Sequence, residues 1–428
     1  MSKVVEGVRG IPDILPLEAK RWQIFEQIWQ TLVASYGYDE IRLPLLEVTA
    51  LFKRSIGDAT DIVEKEMFSF QSRDEKDSFS LRPEGTAGCV RAGIEHGLFY
   101  HQTQRLWYGG PMFRYERPQK GRYRQFHQMG VEAFGFEGPD IEVEHILMIK
   151  RLWKILGLES NIQLEINSIG SLESRKHYRQ KLVNYFSQYQ TDLDEDSQRR
   201  LHTNPLRILD SKNPSMQDMI KAAPTLTDHL DEASREHFES FKERLTELKI
   251  GYVVNTRVVR GLDYYNRTVY EWTTNLLGAQ GTVCAGGRYD ALVEQLGGHP
   301  TPAAGFALGI ERILMLQQQN EQPVEIESDI YIMHNTKKGN QAALQWAEAL
   351  RDKMPFLRVI VYSGTGQFKQ QFKQAGKAGA ALGLIFGETE IQEKSVSVKF
   401  LKDTKEQVTL SQYELIDFCR QHFESINE

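Results

Sequence analysis

Four separated segments of the chain combine arginine, acidic, glycine and aromatic residues that could do chemistry together. They are LRPEGT (81–86), FRYERPQKGRYRQFHQMGVEAFG (113–135), RGLDYYNRTVYE (260–271) with CAGGRYDAL (284–292), and GFALGIER (305–312). We predict strand-like structure for each, so Glu84 and Thr86 would share a face. Gln128, Gly130 and Glu132 would share one too. Arginines on an inner sheet face need anions, and guanidinium geometry suits phosphate and carboxylate. The pattern favours a polyphosphate site.

Signatures of several other enzyme classes are missing from the sequence. There is no GxxxxGK[ST] loop, and GTGQFK (364–369) lacks the third glycine of GxGxxG. HExxH, clustered His/Cys spacing and GxSxG are also absent. A P-loop or Rossmann enzyme, a catalytic zinc enzyme and an elbow-type hydrolase are therefore disfavoured.

Single residues in the four segments also have ordinary structural interpretations. Arg114 could form an ion pair with Glu116, and Arg312 could form one with Glu311. The basic stretch 117–124 could be a solvated turn, and the tyrosines and cysteines could be core residues. Only the agreement of all four segments favours a shared site.

Length and composition indicate a folded protein of several domains. The 428 residues correspond to roughly three typical domains, with 40% apolar and 26% charged residues.

A net charge of −6 argues against a protein that binds nucleic acid without sequence preference. Any nucleic acid must therefore bind at a local basic region. The densest basic cluster is RYERPQKGRYR (114–124). Cys89, Cys284 and Cys419 lie far apart, and no export or membrane-spanning segment is evident. We expect a cytoplasmic protein that binds neither DNA nor membranes.

The elements that must position these segments alternate between helices and strands. In the first part of the chain, apolar spacing predicts a helix over 17–36 and a strand over 38–47. Because Pro44 interrupts this strand, we expect it at an edge or an interface. A hairpin of 106–116 and 126–136, a helix from about 138 and a strand over 162–170 follow. Helical patterns over about 171–250 predict an insertion, strands return at 252–298, and 305–316 enters a helix. A polar linker over 317–328 precedes a β-α-β-α-β-β-α unit.

Taken together, the segments resemble one enzyme family. FRYERPQKGRYRQFHQMG resembles motif 2 of class II aminoacyl-tRNA synthetases, GFALGIER resembles motif 3, and GYDEIRLPLLE resembles the interface-forming motif 1. RGLDYY followed by AGGRYD is similar to the segments that distinguish the histidyl-tRNA synthetase family. The resemblance covers essentially the whole chain. It implies an α/β (α+β) fold with two domains. The first, over 1–325, is a class II catalytic domain with an antiparallel sheet, flanking helices and the helical insertion. The second, over 326–428, is an α/β anticodon-binding domain.

The resemblance also implies a histidine–tRNA ligase. Such an enzyme joins L-histidine to ATP as histidyl-adenylate, releases pyrophosphate, and then transfers histidine to the 3′ end of tRNA(His). The reaction needs alignment and charge neutralisation rather than a protein nucleophile. The implied cofactor is ATP with Mg²⁺, without a tightly bound structural metal, and the implied assembly is a homodimer.

Position within the motifs gives the implied role of each site residue. The catalytic pair is Arg114 and Arg260, at the α-phosphate. The histidine-binding set is Glu84, Gly85, Thr86, Arg114, Gln128, Glu132, Arg260, Tyr264, Tyr265 and Tyr289. In this set, Glu84, Thr86 and Gln128 receive the α-ammonium group, whereas Glu132 and Tyr265 bond to the imidazole nitrogens. The ATP-binding set is Arg114, Glu116, Arg122, Phe126 and Arg312.

Two other functions remain open from the sequence. A catalytically inactive, synthetase-like histidine sensor or regulatory subunit would keep the fold, but such relatives typically lose the C-terminal domain, the second arginine or the tyrosine pair, all of which this chain has. A class II synthetase for another amino acid would share motifs 2 and 3 but should lack RGLDYY with Glu132 at this spacing. ATP–pyrophosphate exchange with a panel of amino acids distinguishes these functions.

Overall fold

A computed structural model describes residues 4–57, 60–209, 211, 213–258, 262–278, 281–318, 328–364 and 366–424. The chain divides into two compact units, Met1–Ile14 with Trp22–Glu321 and Leu15–Arg21 with Gln322–Glu428. Most of the predicted linker, residues 319–327, lies outside the described residues. None of the described helices is long and apolar enough to cross a membrane.

An eight-stranded sheet forms the centre of the larger unit. In spatial order its strands are β1 (Asp39–Glu40), β5 (Gln104–Phe113), β6 (Gln125–Phe134), β11 (Ala303–Gly309), β10 (Thr282–Arg288), β9 (Asn266–Thr273), β7 (Gln163–Ser168) and β8 (Val253–Val254). Only the two outer pairs, β1 with β5 and β7 with β8, are parallel, and the six inner strands are antiparallel. The predicted hairpin is confirmed as β5 and β6, and so is the antiparallel core.

The strand predicted over 38–47 is split between two sheets. Its first part is β1, at an edge of the large sheet, whereas its last residues begin β2 (Leu46–Val48). A small antiparallel sheet contains β2, β4 (Ser78–Leu81) and β3 (Ser69–Gln71), in that order. Pro44 lies between β1 and β2, where its missing N–H interrupts no ladder of hydrogen bonds.

Helices cover both faces of the large sheet. Outside the insertion they are α1 (Pro16–Ser35), α2 (Thr49–Ile56), α3 (Thr86–Glu95), α4 (Asp140–Ile155), α9 (Leu292–Gln295) and α10 (Ile310–Gln317). The predicted insertion contains α5 (Leu172–Phe186), α6 (Glu195–Thr203), α7 (Gln217–Lys221) and α8 (Glu232–Glu247). Short 3₁₀ or π helices span Ile62–Glu66, Glu159–Asn161, Ser187–Tyr189, Pro205–Ile208, Pro214–Met216 and Leu226–His229.

Strand alternation gives the large sheet two different faces. Trp107 and Val131 face the core formed with α1, α4, α8 and α10. Tyr108 and Phe134 belong to a second core, which also contains residues of α3, the insertion and the segment before β9. Because side chains alternate along a strand, the even-numbered residues Gln128 and Glu132 of β6 lie on this second face. The candidate site lies here.

The smaller unit is a five-stranded sheet with helices. The strand order is β13 (Val359–Val361), β12 (Ile330–His334), β14 (Leu382–Phe386), β15 (Ser395–Phe400) and β16 (Val408–Ser411). The first three are parallel to one another and the last two pair antiparallel. Its helices are α11 (Lys337–Lys353), α12 (Phe368–Lys377), α13 (Glu388–Glu393) and α14 (Leu415–Glu424). The sequence prediction missed α13 and β16, because six and four residues are too short for a clear periodicity.

Candidate active site

A cavity of about 710 Å³ brings together residues from all four predicted segments. Its walls include Glu84, Thr86, Tyr108, Arg114, Glu116, Arg122, Phe126, Gln128, Tyr264, Tyr265, Glu271, Glu311 and Arg312. Six of these side chains come from β5, β6, β9 and the start of α10, and the others come from the start of α3 and from segments next to these strands. The cavity therefore unites residues separated by more than 200 positions in sequence.

Glu84 and Thr86 do not lie on a strand, contrary to the sequence prediction. Strand β4 ends at Leu81 and helix α3 begins at Thr86. The Glu84 carboxylate accepts hydrogen bonds from the backbone N–H groups of Thr86, at 2.6 Å, and Ala87, at 2.9 Å. The first N–H groups of a helix have no partner within the helix, so a carboxylate binds there readily. Helix capping, rather than strand alternation, turns both side chains towards the cavity.

Gln128 offers an unsatisfied acceptor beside this pair. Its Oε1 atom is buried and has no hydrogen-bond partner among the described residues. Leaving a buried acceptor unpaired costs about 1–3 kcal/mol, so a bound donor would be stabilised here. Together, the Glu84 carboxylate, the Thr86 hydroxyl and the Gln128 amide suit a cationic group with several N–H donors, such as an ammonium group.

Glu132 is buried next to the same wall, with only 1% of its surface exposed. Its carboxylate accepts hydrogen bonds from Thr86 Oγ1 at 2.7 Å, from Tyr108 OH at 2.8 Å and from Tyr289 OH. Burial raises the pKa of Glu132 to about 8 despite these three donors. Tyr265 lines the cavity, whereas Glu132 lies behind its surface. The three hydroxyl donors hold the Glu132 carboxylate in a fixed orientation.

Tyr108 is a cavity residue that the sequence analysis missed. It lies on β5 directly opposite Gly130 of β6, and its hydroxyl donates to Glu132. A Cβ atom at Gly130 would lie 2.2 Å from the Tyr108 ring, and one at Gly85 would lie 2.1 Å from it. Both glycines are therefore required by the close approach of this ring. The two glycines were visible in the sequence, but the pairing register that places them against Tyr108 was not.

Tyr289 is anchored through its neighbour Arg288. The fully buried Arg288 guanidinium donates to Glu142 of α4 at 2.6 Å, to Asp290 at 3.0 Å and to two backbone carbonyls. Glu142 also bonds to His237 of α8 at 2.9 Å. Burial alone raises the pKa of Glu142, but Arg288 and His237 hold it at about 2. This network fixes the backbone beside Tyr289 and connects the insertion to the site.

Arg114 and Phe126 also line the cavity. The Arg114 Nε–H donates to the Pro83 carbonyl at 2.9 Å, and its guanidinium carbon lies 5.1 Å from the centre of the Phe126 ring. Burial lowers the pKa of Arg114. The backbone bond and the ring fix the guanidinium direction, which suits alignment of an oxyanion.

In the structure, Glu116 and Glu311 bond to residues other than Arg114 and Arg312. Glu116 pairs with Arg122, which also approaches Glu66 at 3.9 Å. Glu311 accepts hydrogen bonds from the His127 backbone N–H at 2.8 Å and from its ring nitrogen Nδ1 at 2.9 Å.

Arg312 connects the start of α10 to two other parts of the site. It donates to the carbonyls of Gly121, at 3.0 Å, and Thr282, at 2.6 Å. Burial, together with the positive charges of the nearby Arg114 and Arg122, lowers the pKa of Arg312 to about 10. The guanidinium therefore lies in a positive, partly desolvated region suited to phosphate.

Three further arginines in the cavity wall were also missed. Arg200 and Arg207 come from the insertion, and Arg257 follows β8. Arg200 pairs with Asp61 at 3.3 Å. These residues lie outside the four predicted segments, and no sequence signal placed them here.

Arg260 lies outside the described residues, although Val258 and Leu262 on either side line the cavity. Within the described ranges, no group of three or more His, Cys, Asp or Glu side chains is placed to hold a metal ion.

An antiparallel sheet that carries these motifs around one cavity, in a chain that also has an α/β unit, defines a class II aminoacyl-tRNA synthetase. The sequence model of the histidyl-tRNA synthetase family matches residues 10–313, and that of an anticodon-binding domain matches residues 329–422. The chain belongs to the histidyl-tRNA synthetase family, which confirms the resemblance seen in the sequence.

Solved structures agree with this assignment. The apo histidyl-tRNA synthetase of S. aureus is 35% identical, with a TM-score of 0.81 over 97% of this chain and 100% of that one. The histidyl-tRNA synthetase of Nostoc sp. PCC 7120 shares the fold at 18% identity, with a TM-score of 0.68 over 98% of this chain and 99% of that one. A Bacillus halodurans protein described as an ATP phosphoribosyltransferase regulatory subunit/histidyl-tRNA synthetase shares it at 21% identity, with a TM-score of 0.64 over 90% of this chain and 99% of that one.

Proposed function

We propose that this chain is a histidine–tRNA ligase that forms histidyl-adenylate from L-histidine and ATP and then charges tRNA(His). One observation carries the proposal: a single cavity combines an ammonium-binding set, Glu84, Thr86 and Gln128, with arginines suited to phosphates. Membership of the family supports the same reaction.

Histidine binds at the end of the cavity near Glu132. Glu84, Thr86 and Gln128 receive its α-ammonium group, and Glu132 and Tyr265 bond to the imidazole nitrogens. Gly85 leaves room for the Tyr108 ring. Tyr264 lines the pocket for the imidazole ring, and Tyr289, whose ring lies 5.6 Å from that of Tyr264, packs behind it.

ATP binds at the arginine-rich end. Its adenine stacks on Phe126 and meets Glu116, while Arg122 and Arg312 bind the outer phosphates. Arg114 and Arg260 hold the α-phosphate from two sides. The histidine carboxylate attacks the α-phosphorus, and the bond to the pyrophosphate leaving group breaks. Because charge on the α-phosphoryl oxygens changes during this step, fixed guanidinium groups can stabilise the transition state more than the ground state.

Mg²⁺ enters with ATP in this proposal and neutralises charge on the phosphates. Glu271 and Glu311 also line the cavity. Carboxylate oxygens are ligands that Mg²⁺ prefers, so these two residues fit a supporting role for the ATP-bound ion.

The second reaction step involves tRNA. The terminal ribose hydroxyl attacks the carbonyl carbon of histidyl-adenylate, which releases AMP. The smaller unit, which matches an anticodon-binding domain, would bind the other end of the tRNA. We also propose a homodimer formed through the motif 1 region around Pro44.

The direct test is ATP–pyrophosphate exchange with a panel of amino acids. We expect exchange that depends on histidine and is at least 10³-fold weaker with other amino acids, because a site that hydrogen-bonds a polar ring strongly rejects analogues without its groups. No exchange with any amino acid would favour the regulatory alternative. Exchange with a different amino acid would assign the chain to another specificity.

A truncated chain ending near Glu325 tests whether adenylate formation and tRNA charging can be separated. We expect it to form histidyl-adenylate, because every described residue of the proposed adenylation site precedes this point and the two parts have hydrophobic cores of their own. It should charge tRNA poorly and lose discrimination at the anticodon. Pyrophosphate exchange and aminoacylation of tRNAs with altered anticodons measure the two effects.

The truncated chain must first be shown to be folded and to have the same oligomeric state as the full chain. If such a preparation charged tRNA as efficiently as the full chain, the C-terminal domain would need a different function.

A further inference from the structure

Asp290 has no part in the reaction as proposed above, and it does not line the cavity. It directly follows Tyr289, just after the end of β10, and its side chain is 23% exposed. Its neighbour in space is Asn266, the first residue of β9, which directly follows Tyr265 and is 9% exposed. The two polar residues therefore adjoin two tyrosines of the proposed histidine pocket, on two different strands.

Asp290 and Asn266 bond to each other in both directions. The Asp290 backbone N–H donates to Asn266 Oδ1 at 2.9 Å, and Asn266 Nδ2 donates to Asp290 Oδ2 at 3.4 Å. The other carboxylate oxygen, Oδ1, accepts from Arg288 Nη1 and from the Ala303 backbone N–H, both at 3.0 Å. One carboxylate thus joins the start of β9, the end of β10 and the start of β11. We call Asp290, Asn266, Arg288 and Ala303 the Asp290 cluster.

Strand β9 is bulged at the point where it meets the cluster. Arg288 of β10 pairs with Asn266, whereas the residue before Arg288 pairs with Val269, so β9 has two additional residues here. One of them, Arg267, has a φ of +52°, in the left-handed region that side chains disfavour. Its backbone N–H and carbonyl are both bonded to residues just after β7, at 2.8 and 2.7 Å. The surrounding structure therefore holds a strained bulge that places Asn266 beside Asp290.

The Asp290 cluster is linked to each proposed partner of the imidazole ring. Tyr265 and Tyr289 pack edge to face, with ring centres 6.1 Å apart. The Tyr289 hydroxyl donates to Glu132, which lies on β6, and β6 pairs with β11. The Tyr289 backbone N–H also donates to the Ala303 carbonyl at 2.8 Å. Because hydrogen bonds weaken steeply when they are misaligned, the geometry of the cluster controls how well these groups can bond to a ring.

We propose that Asp290 is a positioning residue for histidine recognition. It holds Tyr265 and Tyr289 in the orientation in which Tyr265 and Glu132 bond to the imidazole nitrogens, without touching the substrate itself. Since its carboxylate bonds to residues of all three strands, its loss should displace both tyrosines together. This inference rests on the proposed function, and it names a determinant of specificity outside the residues that line the cavity.

The first test is Asp290→Ala, measured by pyrophosphate exchange at varied histidine and ATP concentrations. We expect the KM for histidine to rise by about 10- to 100-fold, because misaligned partners lose their hydrogen bonds to the ring. The KM for ATP should stay within twofold of wild type, since the cluster does not adjoin the arginine-rich end.

Asp231→Ala is the matched control. The Asp231 carboxylate also accepts several hydrogen bonds, from Ser171, Ser174 and Ser234, but it caps helix α8 in the insertion and does not line the cavity. Its loss should lower the melting temperature while both KM values stay within twofold of wild type. The control therefore shows how far a loss of stability alone changes the two constants.

An exchange of the two polar residues separates positioning from stability. In Asp290→Asn, two N–H donors face each other at the contact with Asn266, so the KM for histidine should rise by about tenfold. In the double variant Asp290→Asn/Asn266→Asp, an amide again donates to a carboxylate, and the backbone N–H of position 290 keeps its acceptor. We expect the double variant to return the KM for histidine to within threefold of wild type.

The outcomes that overturn the inference differ from those that overturn the proposed function. Asp290 would have no positioning role if Asp290→Ala matched Asp231→Ala in the KM for histidine, or if the KM for ATP rose equally. A double variant as defective as Asp290→Asn would also contradict it, and this comparison decides the matter if Asp290→Ala does not fold. Absence of exchange in the wild-type protein would instead overturn the proposed function.

Discussion

Replacing Arg114 by alanine is expected to slow histidyl-adenylate formation by about 10²–10⁴-fold, the loss typical of removing one preorganised donor to developing charge. The Pro83 carbonyl and the Phe126 ring fix the direction of the Arg114 guanidinium within the cavity, so alanine removes a preorganised donor. Rapid-quench measurement of the first turnover checks the prediction. Arg117→Ala is the matched control, since this exposed arginine of the same loop does not line the cavity and its loss should leave adenylation unchanged.

Arg260→Ala should give a loss of the same size, about 10²–10⁴-fold or roughly 3–5 kcal/mol, while changing histidine binding less. This expectation rests on the resemblance of RGLDYY to the family segment, because Arg260 lies outside the described residues. An adenylation rate within threefold of wild type in either variant would remove that arginine from the α-phosphate.

Glu132→Ala is expected to raise the KM for histidine by about 10²-fold and leave the KM for ATP nearly unchanged. The substitution removes a charge-assisted partner of the imidazole and leaves the hydroxyls of Thr86, Tyr108 and Tyr289 without their common acceptor. Pyrophosphate exchange at varied histidine and ATP concentrations measures both constants. A larger change in the KM for ATP would contradict the assignment.

The pH dependence of histidine binding gives this prediction a second readout. Burial raises the pKa of Glu132 to about 8, so near pH 7 its carboxyl carries a proton, whereas free imidazole, with a pKa of about 6.5, does not. We expect the complex to hold one proton, shared between the Glu132 carboxyl and the imidazole. From about pH 6.5 to 8 the free Glu132 already carries this proton, so binding takes up none and the Kd should be constant there. Above pH 8 binding must take up a proton, so the Kd should rise up to tenfold per pH unit.

Glu132→Gln should remove this alkaline rise, because a neutral amide does not titrate. Isothermal titration calorimetry of histidine from pH 6 to 9 gives the two profiles. A rise that persists in Glu132→Gln belongs to the α-ammonium group of histidine, and identical profiles would exclude Glu132 as the titrating partner.

The sequence alone determined the motifs, the family and most of the elements. Helix α1 and the hairpin of β5 and β6 follow from the spacing of residues such as Trp22, Trp29 and Trp107, because local apolar periodicity reflects which face is buried. The residue types around Arg114, Gln128 and Arg312 indicate a shared site, and the structure brings these segments to one cavity. Such features depend on neighbours within a few residues, which the sequence displays directly.

Only the tertiary structure decided which atoms meet. Tyr108 reached the site because its strand pairs with Gly130, and a shift of one residue in that register would have turned it to the opposite face. Glu84 was predicted on a strand but caps α3, since the free N–H groups of the helix start bind its carboxylate. Arg200 and Arg207 come from an insertion whose placement depends on packing between distant segments. Long-range register and packing energies arise from contacts between residues far apart in the chain, so local pattern cannot reveal them.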